Sequence, residues 1–198
     1  MLKPIQSETS GKLLILTAPS GAGKTTIAHR LMAELPELCF SISATTRAPR
    51  EGEVRGRDYY FLSVAEFERK ISLGDFVEYE MVYEGKYYGT LEEELVRIWE
   101  KGRFPLRVVD VVGALTLQER FGKKAVSVFI SPPSLEVLEK RLHARGTEDE
   151  ASLRERVHKA QDEMTYLTRF DHIVVNDDLE ESVRQVATIF RNFIRGRP

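Results

Sequence analysis

The sequence predicts an α/β fold: a parallel sheet core flanked by helices, with a small antiparallel sheet inserted into it and a helical lid. Three observations predict it. Apolar runs of strand length recur at Leu13–Ala18, Cys39–Ala44, Leu106–Val112, Val126–Ile130 and His172–Val175. Several are continuous rather than alternating, as in strands covered on both faces. Helical segments separate most of them, which suits parallel strands joined by crossovers. Between residues 45 and 90 that rhythm gives way to short aromatic runs punctuated by glycine.

Each element has its own signals. Met1–Ser10 is a short lead-in with no signal-peptide apolar stretch. After the first strand, Thr25–Leu35 reads as a helix that ends before Pro36. In the insertion, Tyr59–Phe61, Phe76–Tyr79 and Lys86–Tyr88 read as strands, and Val64–Leu73 as a helix starting near Ser63. Leu91–Lys101 is a helix closed by Gly102. Ser134 follows Pro132-Pro133 as N-cap of the helix Ser134–Ala144. Asp149–Leu167 and Asp178–Arg195 are long and amphipathic. The expected division is a core of residues 1–41, 92–134 and 165–198, an inserted subdomain of 42–91 and a lid of 135–164.

A chain of 198 residues suits one domain with small insertions. Its formal charge of −2 gives no reason to expect nucleic acid or an anionic membrane as partner. The single cysteine, Cys39, excludes an internal disulfide and a cysteine metal cage, and reads as a buried strand residue. No apolar run reaches the roughly 18 residues of a membrane helix, so a cytoplasmic location is the default expectation. Monomer and homodimer both stay open.

The chemistry begins at Ala18-Pro-Ser-Gly-Ala-Gly-Lys-Thr25. Strand, glycine-rich loop and helix form the context of a phosphate-binding P-loop. Small residues let the backbone curl so that several N–H groups point at an anion, and the helix N-terminus adds positive charge. ATP phosphates are expected against Ala18, Pro19, Ser20, Gly21, Ala22, Gly23, Lys24, Thr25 and Thr26, with Lys24 on the β- and γ-phosphates and the Thr25 hydroxyl on Mg²⁺. The pattern usually opens with glycine. Ala18 serves there only if its φ stays negative.

A second anion site is expected opposite. Arg47 and Arg50 lie three apart around Pro49, followed by Arg55 and Arg57, and a guanidinium fork matches phosphate geometry. Tyr59 and Tyr88 can add hydroxyl donors. Two phosphorylated ligands facing each other suit phosphoryl transfer.

Beyond these motifs, Ser41-Ile-Ser-Ala-Thr-Thr-Arg-Ala-Pro-Arg-Glu-Gly-Glu53 resembles the GMP-binding entry of guanylate kinases. Asp58-Tyr-Tyr-Phe61, Phe76-Val-Glu78, Tyr87-Tyr-Gly-Thr90, Pro132-Pro-Ser134, Arg141-Leu-His-Ala-Arg-Gly-Thr-Glu148 and Val175-Asn-Asp-Asp178 follow in the family's order. The similarity covers residues 12–195. It implies an ATP:GMP phosphotransferase of purine nucleotide metabolism that uses ATP with Mg²⁺. By resemblance, Ser43, Arg47, Arg50 and Tyr59 hold the GMP phosphate, Tyr88 completes that site and Glu53 orders the arginines. Glu78 and Thr90 read guanine, with Asp110 near the base. Guanine's paired N–H donors suit a carboxylate, whereas adenine would leave a buried Glu78 unsatisfied. Arg141, Arg145 and Arg156 resemble lid arginines that join Lys24, Arg47 and Arg50 in catalysis, and Asn176 the residue near the adenine of ATP.

One departure stands out. The family usually carries Leu-Asp-Ile-Asp-Trp-Gln-Gly-Ala where this chain has Arg107-Val-Val-Asp-Val-Val-Gly-Ala114. Asp110 keeps the second aspartate, and Val108 replaces the first, a carboxylate expected near the Mg²⁺ waters. Three accounts stay open: Mg²⁺ held through Thr25, nucleotide and water alone; compensation by another acid; or weak catalysis. Rival readings are a non-catalytic guanylate-kinase-like module binding phosphorylated ligands, and a P-loop kinase for another acceptor.

Overall fold

The structure, a computed structural model, describes residues 11–143 and 150–196. Strand β1 (Leu13–Thr17) is buried along its whole length. It lies at the centre of a five-stranded sheet in the order β2-β7-β1-β8-β9. Its companions are β2 (Leu38–Phe40), β7 (Phe104–Val109), β8 (Ala125–Ser131) and β9 (His172–Val175). Every pairing in this sheet is parallel.

The pleat explains why β1 is apolar throughout: successive side chains point to opposite faces. Leu14 and Leu16 join a core with Ile27 and Leu31 of α1 (Lys24–Glu34) and with Val183, Val186 and Phe190 of α7 (Leu179–Ile194). Leu13 and Ile15 join a second core with Leu95 of α3 (Glu92–Glu100) and Leu117 of α4 (Val111–Phe121). Each fully buried leucine or isoleucine contributes about 1.5–3 kcal/mol. The helices α5 (Leu135–His143) and α6 (Glu150–Met164) are seated in the first core through Leu138, Leu142, Leu153 and Ala160.

The insertion is a four-stranded sheet in the order β4-β3-β6-β5, built from β3 (Ser43–Thr45), β4 (Tyr59–Phe61), β5 (Phe76–Tyr83) and β6 (Lys86–Leu91). It is antiparallel along β3–β6 and β5–β6, whereas β4 runs parallel to β3. Helix α2 (Val64–Leu73) starts at Ser63 with a capping box to Glu66. It drops Phe67 onto Phe76, with ring centroids 4.2 Å apart.

Two expected strands come out differently. Cys39–Ala44 is two strands in two sheets, parted at Ser41-Ile42. The Glu94 carboxylate, 1% exposed, accepts from the Ile42 N–H at 3.0 Å and from the Tyr60 hydroxyl at 2.9 Å. It supplies the partner that a continuing strand would have offered. Cys39 therefore lies on an edge strand and is half-buried rather than buried. Leu106–Val112 stops as a strand at Val109. Asp110 caps α4 by accepting from the Gly113 N–H at 2.7 Å, and Val111 and Val112 begin the helix. No helix among the described residues is long and apolar enough to cross a membrane.

Candidate active site

Between β1 and α1 the chain makes a tight glycine-rich turn. Gly21 and Gly23 take φ of 89° and 98°, values L-residues adopt only with strain. Every other described residue with positive φ is also glycine, so Ala18 keeps the negative φ its Cβ requires. The turn is closed by the Ala22 N–H donating to Pro19 O at 3.1 Å. It is fastened from β9 by Asn176, whose Nδ2 donates to Ala22 O at 2.7 Å.

Residues 18–21 and 23–26 line a cleft of about 570 Å³, with Asp110, Glu155, Arg156, Lys159 and Glu163 opposite. The Lys24 amine donates to Val109 O at 3.0 Å and to Ala18 O at 3.4 Å. Burial pushes it below the ordinary lysine range, partly offset by Asp110 and Glu163. Burial likewise pushes the Glu163 carboxyl up, against the pull of Lys159 and Lys24.

Across Asp110 a second cavity of about 370 Å³ opens, lined by Ser43, Tyr59, Glu78, Glu80, Tyr88 and Arg107 among others. Glu78 and Thr90 are directly opposed across β5 and β6. The Thr90 hydroxyl donates to Glu78 Oε1. The same oxygen accepts from Arg107 Nη2 at 3.0 Å. Arg107 Nη1 reaches Ser41 O at 2.9 Å and Ser43 Oγ at 3.2 Å. Glu80 shares a hydrogen bond with Asp110, and this carboxylate neighbour, with burial, raises its pKa to about 7.

A third cavity of about 550 Å³ runs from Lys24 and Thr25 to Ser43, Glu53, Arg57 and Tyr59. At its edge Arg47 makes a bidentate pair with Glu53, both bonds 2.8 Å. Its guanidinium also sits 5.1 Å from the Tyr59 ring centroid. Glu53 accepts the Arg50 N–H at 2.7 Å. These bonds, the Arg47 pair foremost, hold the Glu53 carboxyl at about 2.

The expected site residues thus gather in two neighbouring places, with exceptions. Asn176 lies 6% exposed beneath the glycine-rich turn, not on the cleft wall. Arg141 donates to Asn176 O at 2.9 Å and acts on the turn's support. Ala22 is buried and offers its carbonyl inward. The Arg50 side chain is exposed. Arg145 lies outside the described residues. Val108 lines both the 370 Å³ and the 550 Å³ cavity. Among the groups that sequence reasoning left out of the site are Arg107, Glu80 and Glu163. Glu80 was legible in principle, being two residues beyond Glu78 on a strand and so on the same face. Arg107 and Glu163 owe their places to tertiary packing.

A parallel sheet core, flanking helices, a small inserted sheet and a glycine-rich turn after the central strand define the class: an α/β protein with a loop shaped for an anion. The solved guanylate kinase from Anaplasma phagocytophilum superposes with a TM-score of 0.71 at 33% identity, over 93% of this chain and 86% of that one. A shikimate kinase from Bacteroides thetaiotaomicron shares the fold at a TM-score of 0.50 and 16% identity, over 93% of this chain and 98% of that one. The guanylate kinase family profile matches residues 10–193. A curated guanylate kinase from Chlorobium chlorochromatii is 48% identical over 187 residues, 94% of this chain and 98% of its own length. One from Salinibacter ruber is 48% identical over 182 residues, 92% of this chain and 96% of its own length. The chain belongs to the guanylate kinase family.

Proposed function

We propose that the chain transfers the γ-phosphoryl group of ATP to GMP, giving ADP and GDP. One observation carries this reading: the cavities meet. Lys24 and Thr25 border both the 570 Å³ cleft and the 550 Å³ cavity, and Asp110 borders the cleft and the 370 Å³ cavity. Two phosphates bound on either side therefore come within reach of one lysine.

In this reading ATP lies along residues 18–26, with its β- and γ-phosphates on the backbone N–H groups and Lys24. Arg141 works through Asn176, which keeps the turn in shape, and Arg145 and Arg156 belong to the lid side. The GMP phosphate is held by Ser43, Arg47, Arg50, Tyr59 and Tyr88, with Glu53 ordering the arginines. Glu78 accepts the paired N–H donors of guanine, Thr90 lies beside it and Asp110 closes the base's far edge. The acceptor phosphate is itself a competent nucleophile, so no side chain has to remove a proton. What the protein contributes is position and positive charge.

Thr25 presents a hard oxygen between the two phosphate sites. That fits Mg²⁺, an ion that keeps several waters and takes phosphate oxygens. Bound there, it would neutralise charge on the β- and γ-phosphates.

A coupled assay with GMP, AMP, CMP and UMP as acceptors tests the proposal. Turnover should be confined to GMP by at least about 100-fold, the discrimination available when a buried carboxylate loses its donors. Equal rates with AMP and GMP would refute the guanine reading of Glu78 and Thr90.

A further inference from the structure

We propose that Arg107 is a positioning residue for the acceptor base: it pairs with Glu78 and keeps it aimed, and the GMP selectivity proposed above rests on it. Arg107 is 2% exposed on a strand of the core sheet. Stability offers no reason for it. A buried ion pair replaced by well-packed apolar groups commonly leaves a protein as stable or more so. The Arg107 Nε is buried without a partner, a further penalty. A guanidinium kept there at such expense points to the pocket it faces.

That pocket is crowded with acids. Glu78, Glu80 and Asp110 line it, and Arg107 is the one basic residue among its described lining residues. The ionisable groups lining it with Glu78 are Glu80 on its own strand, Tyr88 on β6, Asp110 at the head of α4, Tyr59 on β4 and Arg107 on β7; Glu94 on α3 acts on Arg107 from behind. Without the guanidinium, Glu78 would face the acids Glu80 and Asp110 with the Thr90 hydroxyl as its one remaining donor among the described residues, and would be free to turn away from the base.

The geometry shows how the clamp works. Arg107 and Thr90 both donate to Oε1 of Glu78. The other oxygen, Oε2, faces Gly113, where a Cβ, if the residue had one, would lie only 3.7 Å away. One oxygen is thus held by the protein, and the second takes no hydrogen bond among the described residues, which leaves it for the donors of the proposed guanine. The same guanidinium grips Ser41 O and Ser43 Oγ. It therefore ties the base reader on β5 to the residue on β3 assigned to the phosphate. Base and phosphate subsites are set relative to each other by one buried group that is bonded to a residue of each.

The test compares Arg107→Leu and Arg107→Lys with the parent, each also in a Glu78→Gln background. Arg107→Leu should raise KM for GMP about tenfold to 100-fold, as expected when a buried polar partner is lost. kcat should stay within about threefold and ATP affinity should not change. Arg107→Lys, which keeps the charge and loses the fork, should give an intermediate KM. In the Glu78→Gln background, Arg107→Leu should change KM by less than about twofold.

Equal losses in both backgrounds, or an unchanged or lower KM, would each overturn the proposal. Should Arg107→Leu fail to fold, Arg107→Lys carries the test, and a KM unchanged from the parent overturns it. A parent chain that binds no GMP refutes the proposed function itself, a result visible before any variant is made.

Discussion

Gly23→Ala is the most direct probe of how the glycine-rich turn is held. Gly23 has φ of 98°, and a Cβ there would lie 2.3 Å from Asn176 Nδ2. Two terms follow. The left-handed backbone strains an alanine by about 1–2 kcal/mol. Moving Asn176 breaks its 2.7 Å bond to Ala22 O, and unmade hydrogen bonds between buried groups cost about 1–3 kcal/mol. Together they come to about 2–5 kcal/mol. At roughly 2–4 °C per kcal/mol for a chain of this size, Tm should fall by about 4–20 °C. Gly102→Ala separates the two terms: φ is +67° there, and nothing lies within 4 Å of the added carbon. Calorimetric melting of both variants isolates the Asn176 contribution as the difference. ATP affinity of Gly23→Ala should also drop at least about tenfold, equivalent to 1.4 kcal/mol, because the N–H groups around Ala22 no longer converge. If Gly23→Ala melts no lower than Gly102→Ala, Asn176 does not support the turn and the reasoning fails.

Glu80, raised to about 7 beside Asp110, carries a folded-state pKa above its unfolded value. Its contribution to stability is therefore complete below about pH 4.5 and is lost as pH rises through 7. Glu80→Gln should flatten the decline in Tm between about pH 5 and 7.5, with a gain of no more than about 1 kcal/mol at pH 8 after solvent screening; a steeper decline than the parent's rejects the carboxyl pairing. Glu53, held at about 2 by Arg47 and the Arg50 N–H, works in the opposite sense. Its stabilisation is present above the ordinary carboxylate range and is lost as pH falls towards 2. Glu53→Gln should lessen the acid sensitivity of Tm and raise KM for GMP with ATP affinity unchanged. Lys24→Met removes a cation that is buried and bonded only to backbone carbonyls among its described partners. Tm should hold or rise, while kcat falls at least about 100-fold, the scale of a lost charge on the transferring phosphoryl group. A variant that keeps parental kcat would remove Lys24 from the mechanism.

The core was legible because its physics is local. Leu13–Leu16 is apolar at every position, and such a run fits only a strand covered on both faces. Ser63 with Glu66, and Asp178 ahead of α7, announce helix starts through their own side chains. Two boundaries were hidden because the deciding group is distant or ambiguous. The break after Phe40 depends on Glu94, 52 residues from Ile42 in sequence. The apolar run through Val111 and Val112 reads as strand until Asp110 is seen to cap. Val111, Ala114, Leu117 and Phe121 then show the helical spacing of buried positions.

The active site divides along the same line. The glycine-rich turn, the Arg47–Glu53 pair and the Glu78–Thr90 pair each lie within a short segment or across one hairpin, so motif spacing finds them. Arg107 sits outside every such motif. A lone arginine in an apolar strand resembles an error in patterning, and only the approach of β3 and β5 to the end of β7 shows that three acceptors are waiting for it. Its neighbour Val108 faces the same cavities with no charge where the family pattern carries an aspartate. Arginine-valine stands where the family pattern has leucine-aspartate, so this strand end supplies a cation to the cavity beside Glu78 and no anion at Val108. The acids bordering that region are then Asp110 and Glu80, which share one hydrogen bond, and through it Asp110 raises the Glu80 carboxyl to about 7. Val108→Asp would place a third carboxylate beside that pair. By the like-charge rule it should push the Glu80 titration upward from about 7, which carboxyl NMR can follow directly. A titration left in place would mean that Val108 faces away from the pair, and that the two substitutions on β7 are independent.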